Sequence, residues 1–330
     1  MSAQRFPGDF DGIVVGAPVL NIVDTFLWSA WNARTLDRSP VPLAKMSLVG
    51  DAVFKKCDAL DGAADGLIDD PRQCKFDPAA DLPKCASGDG PDCFTAAQID
   101  SLKTIYGDMV SNGQPQFFGQ LPGAEKIGAD FITLRQKVSG WDEWIIGRSG
   151  PASSRHWLYS EAFLRHMAFG RPEPAYDIRK FDYDKDLPRL TEIRRLLNAQ
   201  DPDLSEFKAR GGKIVMYFGW ADTALSPLMG IDYYEKVAAT MGPSTRDFYR
   251  LFMMPGMFHC RGGFGPDRLD ALTPLINWVE NGTVPDRLVA TQMEDGKLLR
   301  SRPLCPYPQV ARHSGSGSLD DAANFTCRAP

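Results

Sequence analysis

Two short apolar runs, Lys213-Ile-Val-Met-Tyr-Phe218 and Asp247-Phe-Tyr-Arg-Leu-Phe-Met253, constrain this chain more than any other feature, because each is followed closely by a titratable side chain. The first opens after Gly211-Gly212 and closes on Gly219-Trp220-Ala221-Asp222. The second closes on Pro255-Gly256-Met257-Phe258-His259-Cys260, with Arg261-Gly262-Gly263 behind it. Apolar runs of this length bounded by glycine or proline read as buried strands. In open parallel sheets, functional groups gather beyond the carboxyl ends of the strands. The two runs therefore predict neighbouring parallel strands that deliver Asp222 and His259 to one place, in a chain of the α/β class.

An acid followed by a histidine on successive strands matches the chain order nucleophile, acid, histidine of α/β hydrolases, so a nucleophile is expected upstream of Asp222. No serine has the Gly-x-Ser-x-Gly setting. Gly147-Arg-Ser149-Gly-Pro151 carries proline where the second glycine belongs, and Ser314, Ser316 and Ser318 lie after the histidine in a Gly/Ser-rich turn. Taken singly, Asp222 can be an ordinary turn carboxylate and His259 a packing residue. Their order at two strand ends is what points to catalysis.

At 330 residues, 43% of them hydrophobic and 11% aromatic, the chain has ample material for a large core and exceeds the usual single-domain size. One large domain with an insertion, or two domains, is expected. The net charge of −5 and the absence of a concentrated basic run argue against a nucleic-acid partner. No stretch approaches the roughly 20 apolar residues of a membrane span. The segment Met1–Phe10 lacks the apolar core of a signal peptide.

The seven cysteines are sharper. Cys57/Cys74, Cys85/Cys93 and Cys305/Cys327 fall into three local couples, each closing a loop rich in Asp, Pro or Gly, as disulfides do in oxidising compartments. Other connectivities remain open on spacing alone. That leaves Cys260, beside His259, as the odd one, either short of a partner or a buried thiol. Zinc fits poorly, since no Cys-x-x-Cys occurs and the four histidines are scattered.

The α/β rhythm begins with a strand over Gly12-Ile-Val-Val15 and a helix around Asn21–Ala33. From about residue 48 to 188 Asp, Gly, Pro and Cys become dense, strands are hard to find and aromatic residues are frequent, which reads as an inserted lid. Within it, Thr95-Ala-Ala-Gln98 starts a helix with Ile99, Leu102, Ile105 and Tyr106 on one face. From Arg189 the rhythm returns, with a helix near Leu190–Leu197, the two site strands, and an amphipathic helix over Asp267–Glu280 carrying Leu269, Leu272, Leu275, Ile276 and Val279. Leu288–Met293 and Lys297–Leu304 around Glu294-Asp-Gly296 form a hairpin. The organisation expected is thus 1–47 core, 48–188 lid, 189–330 core.

One lid segment, Cys57-Asp-Ala-Leu-Asp61-Gly-Ala-Ala-Asp65-Gly-Leu-Ile-Asp69-Asp70, concentrates carboxylates between glycines. Hard oxygen donors at close intervals suit Ca²⁺, although the spacing is not that of an EF-hand and a solvated acidic turn is the alternative.

Taken together, these motifs resemble the tannase and feruloyl esterase family of α/β hydrolases over nearly the whole chain. Gln4-Arg-Phe-Pro-Gly-Asp-Phe-Asp-Gly-Ile-Val-Val-Gly-Ala-Pro18 resembles the segment after that family's nucleophile. Cys57-Asp58…Asp61-Gly62…Asp65-Gly66…Cys74 resembles its calcium loop, and Gly219–Asp222, Pro255–Cys260 and Arg302-Pro-Leu-Cys-Pro-Tyr-Pro308…Cys327 complete the match. The resemblance implies an ester hydrolase of small aromatic substrates, feruloyl, galloyl or terephthaloyl esters, with Asp222 orienting the imidazole and His259 acting as general base and then general acid. It implies a structural Ca²⁺ held by the side chains of Asp58, Asp61 and Asp65 and the carbonyls of Ala63 and Leu67. It also implies a disulfide from Cys260 to a cysteine directly before the nucleophilic serine, in a Gly-Cys-Ser-x-Gly-Gly elbow placed ahead of Met1.

The expectation is therefore an N-terminally truncated α/β-hydrolase core with a large inserted lid, carrying the acid and histidine but not the serine, inactive and poorly folded alone. Its compartment is expected to be secreted or periplasmic. Phe117, Phe118, Trp141, Trp144 and Trp157 are candidates for the wall of an aromatic acyl pocket, with lid core as the alternative. Two other readings compete: a non-catalytic calcium-stabilised binding module, and an enzyme using Cys260 as nucleophile. The second suffers because successive side chains on an extended segment point apart.

Overall fold

The computed structural model describes residues 1–125, 132–133, 136–137 and 140–330. Three parallel strands carry the candidate site: an edge strand Gly12–Gly16, an acid strand Lys213–Gly219 and a histidine strand Tyr249–Met254, in that spatial order. Gly12 pairs with Lys213 and Gly16 with Tyr217, while across the acid strand Ile214 pairs with Tyr249 and Gly219 with Met254. The acid strand is bonded on both sides, and Ile214, Val215, Met216 and Phe218 are buried, which is why its sequence is a nearly unbroken apolar run.

The two borders of this sheet differ. Beyond the histidine strand, the Tyr307 N–H donates to the Leu251 carbonyl at 2.8 Å and Pro306 bridges Phe252. On the outer side of the edge strand, no strand pairs among the described residues, and all five edge-strand residues are half-buried.

The helix Ile22–Arg38 follows the edge strand and is buried nearly all round, from Val23 to Leu36. Asn21 caps it, its side-chain oxygen accepting from the Asp24 N–H at 3.4 Å. On one side it meets the helix Arg155–His166, with Phe26 and Phe163 stacked 5.0 Å apart. One continuous apolar cluster joins Trp28, Phe94, Trp141, Phe163, Phe218 and Phe258, so the long segment between edge and acid strands packs directly on the sheet.

The Thr95 capping box forms as the spacing predicts. Thr95 Oγ1 accepts from the Gln98 N–H at 3.2 Å, Gln98 Oε1 accepts from the Thr95 N–H at 3.1 Å, and the helix Ala96–Tyr106 buries Ile99, Leu102 and Ile105. Short strands do occur between residues 48 and 188, contrary to expectation. Met109–Ser111 pairs with Gln114–Phe117 around Asn112 and Gly113, both at positive φ (48° and 72°), a two-residue hairpin turn whose Asn-Gly pair the sequence reading passed over.

The last helix is shorter than its sequence stripe. It runs Leu272–Asn281, because Arg268–Leu269 is taken by the sheet, pairing with Thr291 and Ala290. Asp270 Oδ1 then accepts from the Leu272 and Thr273 N–H groups at 3.1 and 3.0 Å and starts the helix there. Leu275 and Trp278 face inward while Leu272 and Ile276 are exposed. The hairpin Leu288–Glu294 with Lys297–Leu304 forms as expected around Asp295-Gly296.

All three cysteine couples are bridged: Cys57–Cys74, Cys85–Cys93 and Cys305–Cys327. Cys260 is free and exposed. Among the described residues no helix is long and apolar enough to cross a membrane.

Candidate active site

The acid strand ends at Gly219, and the chain turns at once through Trp220, Ala221 and Asp222. Only glycine fits at 219, since a Cβ there would lie 2.3 Å from the Met257 carbonyl oxygen. That close approach fuses two loops: the Trp220 N–H donates to the Met254 carbonyl at 2.9 Å and the Ala221 N–H to the Met257 carbonyl at 3.1 Å. The histidine loop is tied by its own glycines, with the Phe258 N–H on the Gly262 carbonyl at 3.0 Å and the Phe264 N–H on the Gly256 carbonyl at 3.1 Å. Cys260 takes φ of +66°, which turns the chain sharply after His259.

These two loops bring His259 Nδ1 to 2.9 Å from Asp222 Oδ2. Asp222 is wholly buried, whereas the His259 side chain keeps 29% of its surface exposed. The other carboxylate oxygen, Oδ1, accepts from the backbone N–H groups of Ala224 and Leu225 at 2.8 and 3.0 Å. A buried carboxylate with both oxygens engaged presents one fixed acceptor to the imidazole, and an ionised Asp222 there requires the proton on Nδ1. Nε2 is then the nitrogen left for a substrate or nucleophile.

Burial by itself lowers the affinity of His259 for a proton. Hydrogen bonds to Asp222 and Cys260, together with the negative charge of Asp222, overcome that and push its pKa up to about 10.

Of the five aromatic candidates, Trp144 is the one in ring contact with His259, at 5.7 Å and 75°. Trp141 is buried beside Tyr106 at 5.6 Å, and Phe117 packs on Trp28 at 5.9 Å and on Phe118 at 5.8 Å. Trp157 lies under Arg179, 4.6 Å from its ring centre to the guanidinium carbon. These four serve the packing of the segment rather than a wall at His259. Ser149 is tied locally, its N–H donating to Ser153 Oγ at 3.0 Å.

In the acidic loop, a 3₁₀ turn over Asp58–Asp61 is followed by Gly62 and Gly66 at φ of +92° and +79°. Asp58 Oδ1 accepts from the Gly66 N–H at 2.9 Å, Asp61 Oδ1 from Ala63 at 2.9 Å, and Asp65 Oδ1 from Leu67 at 3.1 Å. Asp65 also forms a buried ion pair with Arg302. Among the described residues, no three Asp, Glu, His or Cys side chains converge as metal ligands. The donor chemistry nevertheless fits a hard cation: three carboxylates stand around glycine turns, and the neighbouring Asp69 has a buried Oδ1 without a hydrogen-bond partner among the described residues. Three arginines of the C-terminal strands grip the same loop, Arg300 on the Asp65 carbonyl at 3.0 Å, Arg312 on the Asp61 carbonyl at 2.9 Å, and Arg302 on the Asp65 carboxylate. Leu67 reaches the histidine loop, since a Cβ on Gly256 would lie 2.8 Å from Leu67 Cδ2.

Sequence reasoning missed two polar residues behind the pair. Gln120 and His156, both from the segment between residues 48 and 188, donate to the carbonyls of Asp222 and Thr223 at 3.1 and 3.0 Å. No spacing rule flags either one.

A parallel sheet whose adjacent strands end in a buried acid and a hydrogen-bonded histidine defines an α/β-hydrolase-like protein. The tannase and feruloyl esterase family model matches residues 1–328, and the chain belongs to that family. It is 36% identical over its whole length to mono(2-hydroxyethyl) terephthalate hydrolase of Piscinibacter sakaiensis, covering 61% of that protein. It is 29% identical over 99% of its length to a probable feruloyl esterase B-1 of Aspergillus oryzae, again covering 61%. The crystal structure of feruloyl esterase B from Aspergillus oryzae superposes with a TM-score of 0.85 at 26% identity, over 99% of this chain and 65% of that one. The chain thus spans less than two thirds of the length of these relatives.

Proposed function

We propose that this chain supplies the acid and the base of a serine ester hydrolase acting on small aromatic carboxylic esters of the feruloyl, galloyl or terephthaloyl type. The observation that carries the proposal is the 2.9 Å contact of His259 Nδ1 with buried Asp222 at the ends of adjacent parallel strands. The named activities of the relatives support the substrate class. Asp222 holds the proton on Nδ1, so Nε2 takes the proton of an attacking serine hydroxyl and later returns it to the leaving alcohol, while Asp222 stabilises the imidazolium between the two steps.

The serine is proposed to sit on a strand laid along the open outer side of Gly12–Gly16. In that position its Gly-Cys-Ser-x-Gly-Gly elbow would reach the same end of the sheet as Asp222 and His259, and its cysteine would bridge to exposed Cys260. Without that strand the chain is proposed to be inactive. Residues 48–188 act as the lid in this account. Asp58, Asp61 and Asp65, with the carbonyls of Ala63 and Leu67, would hold a structural Ca²⁺ that ties the lid loop to the histidine loop through Leu67. The three disulfides favour an oxidising compartment, periplasmic or extracellular.

The test is hydrolysis of methyl ferulate and of a terephthalate monoester by the protein carrying both this chain and the serine segment. Turnover that disappears in His259→Ala supports the proposal. Turnover unchanged in that variant refutes it.

A further inference from the structure

Three hydrogen bonds cross from the lid segment to the loop that carries the acid. Gln120 Nε2 donates to the Asp222 carbonyl at 3.1 Å, His156 Nε2 to the Thr223 carbonyl at 3.0 Å, and Ser226 Oγ to the Gly119 carbonyl at 3.4 Å. A carbonyl only accepts, so the His156 proton is on Nε2 and its Nδ1 is a bare lone pair. Gln120 and His156 are 2% and 1% exposed. His156 stands on the first turn of Arg155–His166, with Trp28 at 4.8 Å and Trp144 at 6.4 Å around its ring. Burial pushes its pKa down to about 4, against the opposing pull of the Thr223 carbonyl, so it stays neutral wherever His259 works.

These donors are placed at a disadvantage to the fold. Gln120 Oε1, His156 Nδ1 and Thr223 Oγ1 are all buried without a hydrogen-bond partner among the described residues. Each such atom destabilises, and apolar side chains of the same shape would avoid the loss. The one thing both polar side chains do is fix consecutive carbonyls of a single loop. The Thr223 carbonyl shares its peptide plane with the Ala224 N–H, so fixing it aims that N–H at Asp222 Oδ1, and the Leu225 N–H, one peptide further on, meets the same oxygen. With Oδ1 so held, Oδ2 is left pointing at His259.

We propose that Gln120 and His156 are positioning residues, a two-point clamp by which the lid holds the acid loop in register so that Asp222 stays on His259 Nδ1. The proposal rests on the ester-hydrolase reading for its meaning in catalysis, but the geometry it concerns is measurable without turnover. Among the described residues the groups facing His259 are Asp222 from the acid loop, Cys260 from its own loop and Trp144 from the lid, with Arg155 stacked on the Trp144 ring at 4.9 Å. Substitutions at Gln120 and His156 replace none of them, and Gln120→Leu also leaves in place the Trp144–His156 ring contact at 6.4 Å that the His156 variants alter.

The chain has four histidines, so each imidazole can be followed by NMR in ¹⁵N-histidine-labelled protein. Gln120→Leu and His156→Phe remove one clamp point each, and His156→Gln restores an N–H donor near the Nε2 position. The clamp predicts that the His259 pKa falls by about one pH unit in each removal variant and that His156→Gln returns to within a few tenths of the parent. A residue that only fills space would lower melting temperature and leave the titration of His259 in place. Unchanged His259 titration in folded Gln120→Leu overturns the proposal, as does failure of His156→Gln to recover it. Should His156→Phe not fold, Gln120→Leu and the same contrast with His156→Gln made from a smaller apolar variant, His156→Leu, decide the matter. In the protein with the serine segment, the same variants should lower kcat and leave KM nearly unchanged. A shifted titration without turnover in the parent would keep the clamp and reject the hydrolase reading instead.

Discussion

Replacing Asp222 with asparagine is the smallest change that perturbs the pair, and the surrounding bonds dictate its effect. Asp222 Oδ1 accepts two backbone N–H groups at 2.8 and 3.0 Å. In Asp222→Asn the amide oxygen keeps those bonds, because an NH₂ group there would face two donors. The NH₂ is then forced toward His259 Nδ1, where it can only donate. His259 must present a lone pair at Nδ1 and carry its proton on Nε2, the tautomer that cannot accept from a serine. A wrongly held tautomer of this kind lowers kcat by about 10³–10⁴, or roughly 4–5 kcal/mol of transition-state stabilisation. KM should change little, since Asp222 is buried and does not face substrate. The His259 pKa should fall from about 10, because burial is no longer opposed by the Asp222 charge, so the acid limb of the pH–rate profile moves to lower pH. Initial rates on methyl ferulate across pH, in the protein that includes the serine segment, read both effects. An Asp222→Asn enzyme within about tenfold of the parent would refute the tautomer mechanism.

Other outcomes depend on the same packing. Gly219→Ala puts a methyl group 2.3 Å from the Met257 carbonyl and should separate the acid and histidine loops, destabilising by about 1–3 kcal/mol in denaturant titration and lowering turnover beyond that. Neutral buried His156, with its pKa down at about 4, leaves the unfolded chain binding a proton first as pH falls; stability should therefore drop by roughly 3 kcal/mol between pH 6.5 and 4, and His156→Phe should flatten that slope in urea melts at stepped pH. Calcium at about 100 times its dissociation constant should stabilise by about 2.7 kcal/mol, visible as a higher melting temperature reversed by chelator and absent in Asp61→Asn. No calcium effect in either protein would leave the acidic loop as an arginine-held turn.

The three strands were legible because each is a short, largely apolar run that ends on glycine or proline, and the meeting of Asp222 and His259 was legible because they follow two of them. The helix cap at Thr95 and the Asp295-Gly296 hairpin were readable for a similar reason, since local side-chain chemistry alone decides them. Local patterns failed where tertiary partners choose between local options. Leu269 fits a helical stripe, yet the neighbouring hairpin offers it a strand partner in Ala290 and the helix starts later, at Leu272. Phe117, Trp141 and Trp157 are pocket-wall candidates by residue type alone, and they pack in the interior of the segment between residues 48 and 188, the alternative reading for each. Gln120 and His156 carry no signal because a single buried donor reaching a distant carbonyl has no period and no motif.

One proton decides the mechanism, the one between His259 Nδ1 and Asp222 Oδ2, and ¹⁵N and proton NMR of the labelled chain observe it directly. A strongly downfield Nδ1–H resonance that vanishes in Asp222→Asn, with Nε2 showing a free lone pair once the ring is neutral, is the predicted result. A neutral ring protonated on Nε2 in the parent chain would contradict it.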